Sequence, residues 1–137
     1  MGKLLDRLQD ASRSGVYRAV RADEIVDAVS GSTLAVVRIA FADKDALLRK
    51  IAAALDFPTW FGGNWDALED CLGDLSWRKA GGHVLLFEKA KPGDDLGVLI
   101  DILQSTAEFW AGRGKPFFAV FIDPAHALSL PQLFREK

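Results

Sequence analysis

Residues 57–77 read FPTWFGGNWDALEDCLGDLSW, a loop of aromatics and glycines that gives way to a short helix. Asn64 suits the N-cap, because its side-chain oxygen can accept a hydrogen bond from an orphaned N–H of the first turn. Beyond it, Leu68, Cys71, Leu72 and Leu75 recur at helical spacing as one apolar stripe. At about 100° per residue, Asp66, Asp70 and Asp74 fall on the opposite face, with Glu69 beside them. From Asp56 to Trp77 the chain holds five acids (Asp56, Asp66, Glu69, Asp70, Asp74) and no Lys or Arg.

Such a row works against stability. Like charges four residues apart cost roughly 0.2–0.5 kcal/mol per pair, and Asp66–Asp70 and Asp70–Asp74 are two such pairs. Asp66 suits the positive end of the helix dipole, whereas Asp74, near the other end, opposes it. The plain reading of an acidic helix is a solvated face. Here no lysine interleaves the acids, and the adjoining loop offers Trp60 and Phe61. A local rule broken without visible compensation marks a functional site. The expectation is a face that binds something cationic.

The same stretch resembles the barstar family, intracellular protein inhibitors of barnase-type ribonucleases. The matching pattern is Pro58, Trp60-Phe61, Gly62, Asn64, Asp66-Ala67-Leu68 and Asp70-Cys71-Leu72. The order of surrounding elements agrees from about Leu34 to Asp123, and residues 1–33 and the last dozen lie outside it. The resemblance implies a small α/β domain that plugs a ribonuclease active site with the acidic helix and its preceding loop. Asp70 stands at the family's acidic anchor in the target's catalytic site, and Asp66 at a second contact acid. Trp60 occupies an aromatic contact position, and Gly62 and Asn64 hold the loop and the cap. Glu69 departs from the pattern, standing where the best-known member carries an aromatic. The family's further acid on the long helix has only Glu108 as a near counterpart. These departures bear on which nuclease is bound more than on how it is bound. The expected partner-binding set is Trp60, Phe61, Gly62, Gly63, Asn64, Asp66, Glu69, Asp70 and Asp74.

At 137 residues the chain is one domain's worth. A net charge of −2 makes the acidic character local to the helix, and no global field points to nucleic acid or a membrane. Cys71 is the only cysteine, so no intrachain disulfide forms, which fits a reducing cytoplasm; its place on the apolar stripe predicts a buried thiol. The N-terminus lacks the continuous apolar core of a secretion signal, and no run approaches the ~18 residues of a membrane span. A cytoplasmic monomer is expected.

Outside the central stretch, Leu34–Phe41 (LAVVRIAF), His83–Phe87 (HVLLF) and Phe117–Ile122 (FFAVFI) are nearly continuous apolar runs, as interior strands are. Between them lie helical patterns. Asp43 caps one that buries Leu47, Leu48, Ile51 and Leu55; Leu96–Trp110 forms another, with Leu99, Ile100, Leu103, Ala107 and Trp110 inward. Three such strands separated by helices predict a single α/β domain, a three-stranded parallel sheet packed by helices, over residues 34–137. Residues 1–33 read as an extension packed on it. That extension carries a short helix over 2–11 and an alternating stretch, Val16–Val20, suited to an edge strand. A second short helix follows over Asp23–Ser30. The tail from Asp123 is expected to fold back over an edge or to stay partly mobile.

For an enzyme the inventory is thin. His83 and His126 lie in no recognisable motif, and there is no Walker loop, GxSxG, HExxH or CxxC. Gly62-Gly63 before a helix could cradle a phosphate, but Asp66 and Asp70 would repel it. A Mg²⁺ site on Asp66, Asp70 and Asp74 would span more than a compact metal site allows, with no flanking Lys or Arg for a substrate phosphate. No catalysis, cofactor or metal is therefore expected, although a metal-dependent hydrolase is the enzyme reading that Mg²⁺ binding would support. A protein inhibitor uses the same features together: carboxylates on a rigid helix can occupy the phosphate sites of a basic nuclease without offering a cleavable bond. The alternative outside that class is a regulatory interaction domain for a different basic protein.

Overall fold

Two of the three apolar runs, those at His83–Phe87 and Phe117–Ile122, become the interior of one parallel sheet, whereas Leu34–Phe41, expected inside it, lies at an edge and is mostly half-buried. In the computed structural model, which describes residues 3–134, the strands are β1 (Gly15–Ala19), β2 (Leu34–Ala40), β3 (Gly82–Glu88) and β4 (Phe117–Ile122). The helices are α1 (Lys3–Leu8), α2 (Ala22–Val29), α3 (Lys44–Ala54), α4 (Trp65–Leu72) and α5 (Asp94–Ala111), with a 3-10 turn at Ala11–Arg13. All strand pairs are parallel, in the order β1-β4-β3-β2. Val84 stands opposite Val36 on one side and Phe118 on the other. The sheet thus has four strands, not the three expected. The fourth is β1, whose Val16 pairs with Ala119 of β4.

Alternate residues of β3 and β4 point to opposite faces, and both faces are covered. Leu85, Phe87, Phe117, Ala119 and Phe121 pack with Leu47, Leu48, Ile51, Leu68, Leu99 and Leu103 of α3, α4 and α5. Phe87 and Phe121 stack there with centroids 4.9 Å apart. Val84, Leu86, Phe118 and Val120 form the other face, against Leu8 of α1 and Ile25 and Val29 of α2. Burial on both sides explains why the β3 and β4 runs are apolar throughout rather than alternating.

Local signals set the helix starts. Asp43 Oδ1 accepts the Ala46 N–H at 3.0 Å and caps α3, as its position predicts. Along α5, Leu99, Leu103 and Ala107 are buried as expected. Ile100 is only half-buried, and Ile102 and Thr106 take the inner side with them. Helix α1 is shorter than the 2–11 expected, ending at Leu8; residue 2 lies outside the described residues.

The tail does fold back over an edge. Pro131 O accepts the Arg18 N–H at 2.8 Å, and the Leu133 N–H donates to Arg18 O at 2.9 Å, on the side of β1 away from β4. Buried Asp123 holds the turn before it, its carboxylate accepting N–H groups of Ala127 and Leu128 at 2.9 and 2.8 Å. An open strand edge invites pairing with other chains. Here the tail occupies part of it.

Candidate functional site

Helix α4 begins where the cap residue predicts: Asn64 Oδ1 accepts the Ala67 N–H at 2.7 Å. Its inner face buries Leu68, Cys71 and Leu72 completely, and Trp110 of α5 donates its indole N–H to Leu72 O at 2.8 Å. Burial, then the charges of Asp70 and Asp74, push the Cys71 thiol upward, so it stays protonated and inert at neutral pH. The outer face carries Asp66, Glu69 and Asp70, all exposed. Among the described residues none of the three has a Lys, Arg or His within ion-pair reach. The nearby Lys44 instead lies over the Trp65 ring, 5.7 Å from its centre.

Asp74 departs from the expected row. Helix α4 ends at Leu72, and Asp74 lies past the Gly73 cap, where its carboxylate accepts the Ser76 N–H at 3.3 Å. Leu75, with φ of 51°, turns the chain and returns its own side chain to the core. The apolar stripe therefore continues in space without a helix under it. Asp56 is also not a free acid: it pairs with Arg78, Oδ2 to Nη1 at 2.8 Å.

The preceding loop divides its two aromatics. Trp60 is 62% exposed, among the largest exposed apolar groups described. Phe61 is half-buried, edge-on to Phe57 at 5.0 Å, and Phe57 in turn meets Trp77 at 6.0 Å. Phe61 thus buttresses the loop while Trp60 faces solvent. Gly63 adopts φ of +72°, a conformation L side chains rarely take, although a Cβ there would meet nothing within 4 Å. Gly62 has no such constraint, since an added Cβ would make only ordinary contacts.

Three side chains unmarked by any sequence motif pin this segment at both ends. Trp77 donates its indole N–H to Leu55 O at 2.9 Å. Arg78, its side chain 16% exposed, bridges Asp56 before the loop and His83 after it, donating Nε–H to His83 Nε2 at 3.1 Å. Only a contact across 22 residues reveals the Asp56–Arg78 pair, and no local pattern could.

His83 gives the clamp a pH dependence. Burial chiefly, then the Arg78 and Lys115 charges, lower its pKa from 6.5 to about 4. The unfolded chain takes up this proton near pH 6.5 and the folded one only near 4. The stability is therefore full above about pH 6.5 and drains away as pH falls towards 4, by roughly 3 kcal/mol. Urea midpoints at pH 7 and pH 4.5 should fall more steeply for the parent protein than for His83→Asn. Equal slopes would show that this ring does not drive the loss.

Among the described residues, no group of three or more His, Cys, Asp or Glu side chains is placed to hold a metal ion. No helix there is long and apolar enough to cross a membrane. Glu108, exposed on α5, accepts a hydrogen bond from Gln104 at 3.3 Å.

Residues 33–122 match the family model described as Barstar (barnase inhibitor), a span that runs from just before β2 to the end of β4. The chain belongs to the Barstar family, a family of inhibitors. The matched span holds the loop, α4 and α5, and leaves out α1, β1, α2 and the tail. Compared with curated proteins, the chain has no match.

Proposed function

We propose that this protein inhibits a barnase-type ribonuclease inside the cell, one copy to one enzyme, by seating α4 and the loop before it in the enzyme's basic cleft. The observation that carries the reading is the outer face of α4. Asp66, Glu69 and Asp70 stand exposed and free of cation partners among the described residues, on a capped helix whose other face is fully buried. Carboxylates so held can take guanidinium groups in bidentate, charge-assisted hydrogen bonds. They present no bond that a nuclease can cleave. Trp60 supplies an amphipathic aromatic anchor of the kind enriched at interface hot spots. Gly62 and Gly63 let the loop backbone approach the partner, Asn64 fixes the start of α4, and Phe61 anchors the loop against Phe57. Asp74 contributes from the rim. Glu69, in place of an aromatic, favours a target that offers one more cation at that point.

A calorimetric titration of the protein into barnase-type ribonucleases tests the reading. The expected result is tight one-to-one binding that stops RNA cleavage. Affinity should drop as the Debye length contracts from about 30 Å at 0.01 M salt to about 8 Å at 0.15 M. An absence of binding at low salt to every basic ribonuclease tried would overturn it.

A further inference from the structure

Past the C-terminal end of α4, at the N-terminal ends of β3 and β4, lies a cavity of about 150 Å³ lined by Asp74, Arg78, His83, Trp110 and Lys115, among others. His83 is more than nine-tenths buried, at 8% exposure. Its Nε2 accepts from Arg78, so in the neutral ring Nδ1 carries the proton. That N–H has no protein acceptor among the described residues. Arg78 commits Nε to His83 and Nη1 to Asp56, leaving Nη2 without a partner among them. Lys115 stands 5.9 Å from the Trp110 ring centre, with no carboxylate in ion-pair reach among the described residues.

Two features oppose an anion: the Asp74 carboxylate, which lines the cavity, and the carbonyls at the ends of α4 and α5. Asp74 turns its carboxylate to the Ser76 N–H, and the charges that act on the His83 ring are those of Arg78 and Lys115. The carbonyls ending α4 and α5 are already engaged: Leu72 O by the Trp110 indole, and Trp110 O by the Arg113 and Lys115 N–H groups. Three residues that line the cavity, His83, Arg78 and Lys115, thus each keep a donor without a partner among the described residues, and the charges on two of them are positive. We propose that the cavity binds one phosphate-sized oxoanion, held by His83 Nδ1–H, Arg78 Nη2 and the Lys115 ammonium. The site does not depend on the inhibitor reading.

The test is an NMR titration of the His83 ring in the full chain with inorganic phosphate, at pH 6.5 and constant ionic strength set with chloride. A saturable shift is expected, and phosphate should raise the His83 pKa from about 4, since an anion favours the imidazolium. Lys115→Met should weaken binding about tenfold, the loss of one charge-assisted hydrogen bond. Lys89→Met, beyond the opposite end of β3, should leave it unchanged. A parallel titration with adenosine monophosphate tells the sources apart: comparable or weaker binding assigns the cavity to free phosphate, and tighter binding to the phosphate of a nucleotide. A shift that never saturates, or equal phosphate affinity in Lys115→Met, would overturn the proposal.

Discussion

If α4 seats in a ribonuclease as proposed, Asp70→Ala should leave the fold intact and weaken binding to that enzyme by about 30-fold to several thousandfold, the equivalent of 2–5 kcal/mol. Close charge pairs between barnase and barstar themselves carry energies of this size, so the magnitude is the family's. Its placement here follows from α4. Asp70 sits in the second turn, exposed and without a cation partner among the described residues, so its removal breaks no described ion pair in the free protein. It even relieves the repulsion from Asp66, worth roughly 0.2–0.5 kcal/mol. In a complex the balance reverses, because the target's guanidinium stays desolvated with no carboxylate to face. Calorimetry gives the affinity and a thermal melt of the same sample checks the fold. A folded variant that binds unchanged would sink the assignment. Asp74→Ala serves as the internal contrast: being off the helix, it should change affinity only about twofold, as surface substitutions away from a hot spot do.

The contrast between Asp70 and Asp74 also shows where local pattern stops being informative. The start of α4 was legible because a cap is a local device: Asn64 and the N–H it accepts from are three residues apart. Its end was not, because Leu75 keeps the apolar spacing of the helix while reaching the core from a turn with positive φ. Periodicity reports which residues are buried, not which backbone carries them. The same limit hid Arg78, whose partners Asp56 and His83 belong to other segments. It also hid the full role of β1. A five-residue alternation suggests an edge strand, but its partner is β4, about a hundred residues away, and parallel pairing leaves no turn between them to read. The two central strands, β3 and β4, were legible for the opposite reason. Burial on both faces demands apolar residues at every position, and that demand is visible in the chain itself.

Removing residues 1–33 should abolish a stable monomer, even though the family match begins only at residue 33. Val84, Leu86, Phe118 and Val120 are all fully buried, and the cover over that side of the sheet comes mainly from α1 and α2, with Leu133 and Phe134 of the tail beside them. Burying such a side chain contributes roughly 1.5–3 kcal/mol, so baring four approaches the entire 5–15 kcal/mol by which a domain is stable. The shortened chain also escapes the entropy of ordering those residues, which offsets part of the loss. The edge is a separate liability. Without β1, the N–H and C=O groups of β4 stand open beside an apolar face, a template for pairing with another copy. Light scattering should therefore find the truncated protein associated or aggregated, and its cooperative melt lost or shifted far down. A monomeric variant with the melting temperature of the full chain would mean that the segment merely decorates a self-sufficient domain. Helix α4 packs on the other face of the sheet. Whatever fraction of the shortened protein still folds should bind the ribonuclease with undiminished affinity, which separates what residues 1–33 do for the fold from what the acidic helix does for the partner.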